Sequence, residues 1–278
     1  MKTQITKQRT NVVGVQQSTV LQSPSTPVSS TVHGSRFQKR IHGSRLRARD
    51  SFSVFAMAAV AILATTLFTT ATRAVAQETV LHSFTANGTD GYEPYASLVF
   101  DGNGNLYGTT TVGGTHAPYG TVFELTPSGG TWTEKILHNF NNNGTDGSNP
   151  YGSLVFDRNG NLYGTTYIGG AYNGGTVFEL SRVGGVWQEK ILHSFNGNNG
   201  VDGAYPYCAL ILDASGNLYG TTTIGGTHHA GTVFELSPNG VVGWKEKILY
   251  SFNPYVGDGV SPDATLISDG VNLYGTTV

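Results

Sequence analysis

Histidine recurs in three similar segments of the sequence, and its imidazole could bind a metal or transfer protons. His82, His138 and His193 each follow two aliphatic residues and stand two residues before a phenylalanine. Regularly spaced imidazoles could form a set of metal ligands, but the fourth copy of this position is Tyr250. Because tyrosine replaces a flat hydrogen-bonding ring rather than a typical zinc ligand, the pattern favours a packing role. We therefore predict no metal and no cofactor.

Two oxygen-rich patterns resemble parts of calcium loops. The run Asp101-x-Asn103-x-Asn105 begins like such a loop, but a leucine follows where glycine is needed and a valine stands where the bidentate glutamate belongs. The string Asn-Gly-Thr-Asp-Gly at residues 87–91 and 143–147 offers similar oxygens. Both patterns are also ordinary turn signals. Hairpin turns are therefore favoured, and calcium binding remains the alternative.

Recurring acids could provide paired carboxylates for a glycosidase. Glu124, Glu179 and Glu235 occupy one repeated position, and Glu-Lys pairs recur at residues 134–135, 189–190 and 246–247. A residue present in every copy is explained more simply by pairing with lysine across strands. No nucleophile elbow, phosphate-binding loop or zinc-protease helix motif occurs. We predict no catalytic residue, with a glycan-active hydrolase or lyase using Glu93 and a neighbouring acid as the alternative.

Cys208 is the only cysteine, so no internal disulfide can form. It aligns with Ala96, Gly152 and Ala264 of the other copies, which predicts a small buried residue rather than a reactive thiol. The tryptophans that precede the Glu-Lys pairs are predicted packing residues: Trp132, Trp187 and Trp244.

Binding is best sought where the copies differ, because exposed loops on a rigid scaffold are where sites are usually built. A variable loop follows a Gly-Gly pair in each of three copies, and a second variable position, occupied by Glu93 in the first copy, precedes a proline. The candidate binding residues lie in the loops that follow the Gly-Gly pairs, and they are His116, Tyr119, Tyr172, Asn173, His228 and His229. Unselected loop variation and a histidine metal site are the alternatives.

These positions belong to a tandem repeat. Asn-Leu-Tyr-Gly-Thr-Thr begins at residues 105, 161, 217 and 272, and Gly-Thr-Val-Phe-Glu-Leu begins at residues 120, 175 and 231. Each period of about 56 residues contains four short strand candidates separated by Gly, Asn, Asp or Pro. In the second period they are residues 135–140, 153–157, 161–166 and 176–180, with Ile136, His138 and Phe140 on one face of the first.

Four antiparallel strands in each period match a propeller blade better than a coil of a solenoid. We therefore predict an all-β protein, a β-propeller of four-stranded blades, over residues 77–278. Three blades are complete and the fourth is incomplete, which indicates either a truncated copy of a longer protein or an incomplete ring.

The N-terminal part differs in composition. Residues 1–76 carry ten basic residues and one acid, whereas the remainder has six basic residues and seventeen acids. Residues 1–50 are polar and predicted to be a disordered basic leader. Residues 51–76 combine an apolar segment with an A-x-A site, which predicts a signal peptide cleaved between Ala76 and Gln77, with a retained membrane anchor as the alternative. The acidic remainder argues against nucleic acid as a partner.

The recurring strings and the Gly-Gly pairs at residues 113–114, 169–170 and 225–226 resemble the Gloeo/Verruco (GloVer) tandem repeat of bacterial surface proteins. The resemblance covers residues 77–278 and implies export, often with a C-terminal anchor, and no established enzymatic activity. We therefore expect a non-catalytic scaffold, secreted or at the cell surface, that has a structural role or binds a protein or a glycan. Membrane contact is expected only through the N-terminal segment or through a C-terminal anchor outside this chain.

Overall fold

Strands and turns make up the described residues of a computed structural model, which are residues 3–5, 11–16, 79–240 and 243–278. The predicted leader falls mostly outside these residues, apart from β1 (Thr3–Ile5) and β2 (Asn11–Gln16). The predicted signal or anchor at residues 51–76 and its cleavage site at Ala76 and Gln77 lie wholly outside them. Within the described ranges no helix has the length and apolar character needed to cross a membrane.

The strands recur in the same pattern in three successive repeats. The first repeat contains β3 (Gly91–Tyr92), β4 (Val99–Phe100), β5 (Leu106–Thr110), β6 (Val112–Gly113), β7 (Thr121–Ser128) and β8 (Thr131–Asn139). The second contains β9 (Gly147–Ser148), β10 (Val155–Phe156), β11 (Leu162–Thr166), β12 (Ile168–Gly169), β13 (Thr176–Val183) and β14 (Val186–Ser194). The third contains β15 (Gly203–Ala204), β16 (Ile211–Leu212), β17 (Leu218–Thr222), β18 (Ile224–Gly225), β19 (Thr232–Pro238) and β20 (Trp244–Ser251). A 3₁₀ turn at Pro254–Val256, β21 (Ile267–Ser268) and β22 (Asn272–Thr277) follow.

Each repeat forms one four-stranded antiparallel sheet, with strand orders β4-β5-β7-β8, β10-β11-β13-β14 and β16-β17-β19-β20. The all-β prediction and the four strands of each period are confirmed. In the second period the predicted strand at residues 135–140 is the end of the longer β8, and β8 pairs with β7 of the first sheet. Three two-stranded sheets, which the sequence patterns did not predict, join β3 to β6, β9 to β12 and β15 to β18.

The fourth sheet is assembled differently. It has the order β1-β2-β22-β21, and β2 runs parallel to β22 from Asn11 opposite Asn272 to Gln16 opposite Thr277. In the complete sheets the corresponding neighbour is the antiparallel strand of the Gly-Thr-Val-Phe-Glu-Leu string. The predicted incomplete fourth repeat therefore supplies two of the four strands, and the N-terminal residues supply the other two.

The cores of neighbouring sheets merge. One buried cluster contains Tyr107 and Val122 of the first sheet and Phe140, which directly follows β8, together with Leu162 and Phe178 of the second sheet. A β-bulge shifts the register of β8 against β7, because Val122 pairs with His138 and Phe123 with Ile136, which leaves Leu137 unpaired. The prediction that Ile136 and Phe140 share one face is therefore wrong, since Ile136 packs in a different cluster. Because each repeat buries its apolar face against its neighbour, the stability of the array is shared between repeats.

One of the two recurring glutamate positions pairs with lysine as predicted, and the Asp101 segment forms the predicted turn. Glu124, Glu179 and Glu235 lie directly opposite a lysine on the next strand, and Lys247 Nζ is 3.5 Å from Glu235 Oε2. The Asp101 turn closes with a hydrogen bond from its amide to the carbonyl of Asn105, and Gly104 adopts a φ of 86°. Glycine suits that left-handed position because it has no Cβ.

Candidate functional site

The variable loops that contain the predicted binding residues lie at the surface. The side chains of His116, Tyr172, His228 and His229 are exposed, and Asn173 uses its side-chain oxygen to accept a hydrogen bond from the amide of Gly169. The sixth candidate, Tyr119, is partly buried against the core cluster shared by the first two sheets. These loops therefore present exposed groups that can form hydrogen bonds.

Tyrosines from different repeats do converge, and we call Tyr95, Tyr151, Tyr167, Tyr205 and Tyr207 the tyrosine cluster. Tyr151 stacks on Tyr207 with ring centroids 4.6 Å apart and an interplanar angle of 21°. The ring centroid of Tyr95 lies 5.8 Å from that of Tyr151, and the centroid of Tyr167 lies 5.1 Å from that of Tyr205. Tyr95 and Tyr207 remain 66% and 41% exposed. The cluster is therefore an exposed aromatic surface built from three repeats.

The repeat itself positions these rings. Tyr95, Tyr151 and Tyr207 occupy the same place in three copies, immediately after a proline, and Asp263 takes that place in the fourth. Bonds between repeats fix the adjoining backbone, since the amide of Ser97 donates to Ser153 Oγ over 2.9 Å. The six binding residues predicted from the variable loops do not include any member of the tyrosine cluster. The sequence does contain a signal for it, since Tyr95, Tyr151 and Tyr207 recur every 56 residues.

The residue before each of these prolines has an unusual backbone conformation. Glu93, Asn149, Tyr205 and Ser261 have φ values of 61°, 54°, 58° and 46°, in the left-handed region that non-glycine residues rarely adopt. The carbonyl of Glu93 accepts hydrogen bonds from the amide and the hydroxyl of Thr111. Such strain persists where the surroundings hold it and tends to collect at functional sites. The strained residues occupy the second variable position, and they lie two residues before the position that carries Tyr95, Tyr151 and Tyr207.

Glu93 is the acid that borders the cluster. Its side chain is exposed, and burial, the rings of Tyr207 and Tyr95 and the charge of Glu93 together raise the pKa of Tyr151. At the equivalent positions the other repeats carry Asn149, Tyr205 and Ser261, so this position offers one carboxylate. Glycosidases of the usual kind need two.

The recurring histidines lie beside acids that the sequence patterns did not connect to them. Each imidazole faces an aspartate of the next loop and a glutamate of a later strand, and we call these groups the His-Asp-Glu clusters. The glutamates belong to β8, β14 and β20. The second and third clusters therefore join one repeat to the next, and the first joins the segment before β3 to the first sheet. The three clusters are His82, Asp90 and Glu134; His138, Asp146 and Glu189; and His193, Asp202 and Glu246.

The carboxylates in these clusters are costly to ionise together. Burial and the neighbouring Asp90 carboxylate raise the pKa of Glu134 to about 7. Burial also raises the pKa of Glu189 and Glu246 to about 8, since burial and the nearby aspartate together outweigh the opposing influence of the histidine. Two like charges in a poorly solvated site repel each other unless a proton or a cation lies between them.

The calcium-like patterns and the cysteine have protein partners. The carboxylate of Asp101 accepts hydrogen bonds from the amides of Asn103 and Asn105, from the Asn105 side chain and from Tyr107. Cys208 is 6% exposed, its Sγ lies 3.0 Å from Thr221 Oγ1, and burial raises the pKa of the thiol. The prediction of a small buried residue at Cys208 is confirmed.

A comparison with protein families matches residues 54–278 to the Gloeobacter/Verrucomicrobia repeat. The match begins upstream of residue 77, where the resemblance in the recurring strings begins. No curated protein matches the chain.

Proposed function

Since the chain belongs to the Gloeobacter/Verrucomicrobia repeat family, we propose that it is an exported, non-catalytic scaffold whose tyrosine cluster binds a glycan at the cell surface. The observation that carries this proposal is the meeting of Tyr95, Tyr151 and Tyr207, from three repeats, on an exposed surface. Tyrosine presents a large rigid face together with a hydroxyl, so it contacts the apolar face of a sugar ring and its hydroxyls at low entropic cost.

A β-propeller is the arrangement that best fits the repeated sheets. The main sheet of each of the three repeats has four antiparallel strands in the order of a blade, and the core clusters pass from one sheet into the next. In such an array equivalent positions lie on one face, which accounts for the contacts between equivalent tyrosines. A multivalent surface of this kind suits a polymer with repeating sugar units.

Export is supported by the N-terminal sequence. The basic residues at 45–49 precede an apolar segment, and Ala74 and Ala76 form an A-x-A site before Gln77. Cleavage would release the repeats, whereas retention of the segment would tether them outside the cytoplasm. N-terminal sequencing of protein recovered from the producing cells distinguishes the two, because cleaved protein begins at Gln77.

A binding array tests the function. Purified protein is applied to arrays of polysaccharides and of surface proteins, and the Tyr207→Ala variant is compared with wild type. We expect retention on one class of polysaccharide and a loss of about tenfold or more in affinity for the variant. Retention on proteins alone, or equal glycan binding by the variant, would contradict the proposal.

The enzymatic alternative has a direct test of its own. Any polysaccharide that the array identifies is incubated with the protein and examined for shortened products. We expect none, because the bordering position supplies one carboxylate, Glu93. Cleavage that disappears in Glu93→Gln would establish the enzyme instead.

A further inference from the structure

The geometry of the His-Asp-Glu clusters resembles a set of metal ligands. In the first cluster His82 Nε2 lies 3.4 Å from Asp90 Oδ2 and 3.6 Å from Glu134 Oε2. In the second the corresponding distances from His138 Nε2 are 3.3 and 3.5 Å, and in the third those from His193 Nε2 are 3.2 and 3.5 Å. Zinc bonds of about 2.1 Å place tetrahedral ligand atoms about 3.4 Å apart. The observed separations match that edge length three times.

Hydrogen bonds within the protein leave several of these ligand atoms without a partner. Nε2 of His82 and of His138 is buried and makes no hydrogen bond, although two carboxylates lie within 3.6 Å of each. Oε1 of Glu246, which faces His193, is also buried without a partner. In Glu134 and Glu189 the oxygen without a partner is Oε1, which is not the one that faces the histidine, and Nε2 of His193 lies within hydrogen-bond distance of Asp202 Oδ2, at 3.2 Å. A buried polar atom without a partner is costly, and a bound cation would engage the imidazole and a carboxylate together.

Charge favours the same ligand. Each cluster sets two carboxylates beside one imidazole, and the aspartates are only 6–8% exposed. When both carboxylates are ionised and the imidazole is neutral, the three side chains carry two negative charges, which a divalent cation neutralises. Imidazole with carboxylates suits a first-row transition metal, and among the redox-inert ions of this series zinc binds such sites most tightly.

The aspartate oxygen that faces the histidine in each cluster also accepts a hydrogen bond from a backbone amide. Oδ2 of Asp90 accepts a hydrogen bond from the amide of Thr85 over 2.8 Å, and Oδ2 of Asp146 accepts one from the amide of Asn141 over 3.0 Å. Asp202 accepts the amide of Asn196 over 2.7 Å. Such supporting bonds orient ligating carboxylates in metal sites. The same support in three repeats indicates a site that the fold builds into every complete repeat.

The fourth repeat shows the contrasting case. Tyr250 replaces the histidine, and its hydroxyl donates a hydrogen bond to Oδ2 of Asp258. The carboxylate that would be a ligand is therefore already engaged by a proton donor. The fourth position therefore serves as an internal control, at which we expect no metal to bind.

We propose that each of the three His-Asp-Glu clusters binds one divalent transition-metal ion, with Zn²⁺ the best fit, through His Nε2 and two carboxylates. A water molecule would complete the four-coordinate shell. Because Glu189 and Glu246 come from the sheet after the one that carries the histidine, the second and third ions tie one repeat to the next. The first ion ties the segment before β3 to the first sheet. This site is separate from the tyrosine cluster and does not depend on glycan binding.

The test is a metal count on the full chain. Protein stripped with a chelator is loaded with Zn²⁺, desalted and analysed for bound metal by mass spectrometry. We expect three ions per chain, two in His138→Ala, two in Glu189→Gln and three in Tyr250→Phe. The glutamine variant preserves size, and circular dichroism confirms that each variant is folded. Loading with Co²⁺ should give the intense visible absorption of tetrahedral coordination, reduced by one third in Glu189→Gln.

Two results would overturn the proposal. The first is a desalted wild-type protein that retains no metal. The second is retained metal that is unchanged in folded His138→Ala and Glu189→Gln but lost when the exposed His116, His228 and His229 are replaced by alanine, which would place the metal on the surface loops.

Discussion

Tyr151 stacks on Tyr207 across a repeat boundary, with ring centroids 4.6 Å apart and planes inclined by 21°. The two residues are 56 positions apart and occupy the same place in successive repeats. Their contact therefore follows from the geometry of the array, in which equivalent positions come together. Rings that already pack on one another lose less conformational freedom when a ligand binds, which lowers the entropic cost of binding.

Close packing at the repeated Leu-Tyr-Gly-Thr-Thr strand makes a first prediction. A Cβ added to Gly164 would lie 2.6 Å from Cζ of Phe178, a fully buried ring. Gly164→Ala should therefore lower the free energy of unfolding by about 1–3 kcal/mol. Gly102→Ala is the matched control, since a Cβ added there would meet no atom within 4 Å and the substitution should be close to neutral. Equal stabilities of the two variants in urea denaturation would refute the packing.

The turn aspartates predict how stability changes in acid. Burial raises the pKa of Asp213, but hydrogen bonds from Asn217, Tyr219 and Ser215 outweigh it and lower the pKa below its ordinary value. A carboxyl whose pKa is lower in the folded state stabilises the protein above its unfolded pKa and loses that contribution as the pH falls through the folded value. The effect is therefore complete near neutral pH and fades below about pH 4.

Asp213→Asn measures this contribution. The variant cannot ionise at this position, so it should be less stable than wild type at pH 7 and approach wild type as the pH falls to about 3. Urea denaturation at both values gives the two differences in free energy of unfolding. A difference that stays constant across this range would show that the ionised carboxylate contributes nothing.

Cys208 predicts a difference in reactivity between the folded and unfolded states. Its side chain is 6% exposed, and burial raises the pKa of the thiol, so little reactive thiolate reaches the solvent. A thiol reagent should label the native protein slowly and label it fully in denaturant. An added surface thiol, Ser97→Cys, should react at once because Ser97 is exposed. Rapid labelling of Cys208 in native buffer would contradict the burial of its side chain.

The strands could be predicted well because turn residues and the recurring strings mark them directly. The Glu124–Lys135 pairing was predictable for the same reason, since both residues recur with the strands. The prediction that Ile136 and Phe140 lie on one face of the strand is wrong because a β-bulge interrupts the alternation of side chains between the two faces. No residue type in this segment predicts the bulge. The parallel pairing of β2 with β22 depends on a contact between distant parts of the chain, which periodicity does not encode.

The candidate sites were harder to predict because both join separate repeats. The position of His138 was recognised as repeated, but its partners Asp146 and Glu189 are 8 and 51 residues away along the chain and were assigned to turns and strand pairing. Tyr205 belongs to the second variable position, but the tyrosines after the prolines could not be predicted from differences between copies because that position is nearly constant. In both cases the relevant signal is a side chain with chemistry that recurs at the period of the repeat.

Binding at the tyrosine cluster is the central claim, and a comparison of affinities tests it most directly. Isothermal titration with the polysaccharide retained on the array compares wild type, the double variant Tyr95→Ala/Tyr207→Ala and the loop variant Tyr172→Ala. Tyr95 and Tyr172 are similarly exposed, at 66% and 58%, so the loop variant controls for the loss of a surface ring. We predict a loss of at least about tenfold for the double variant and wild-type affinity for Tyr172→Ala. Unchanged binding by the double variant together with loss in Tyr172→Ala would contradict the claim and place the site in the variable loops.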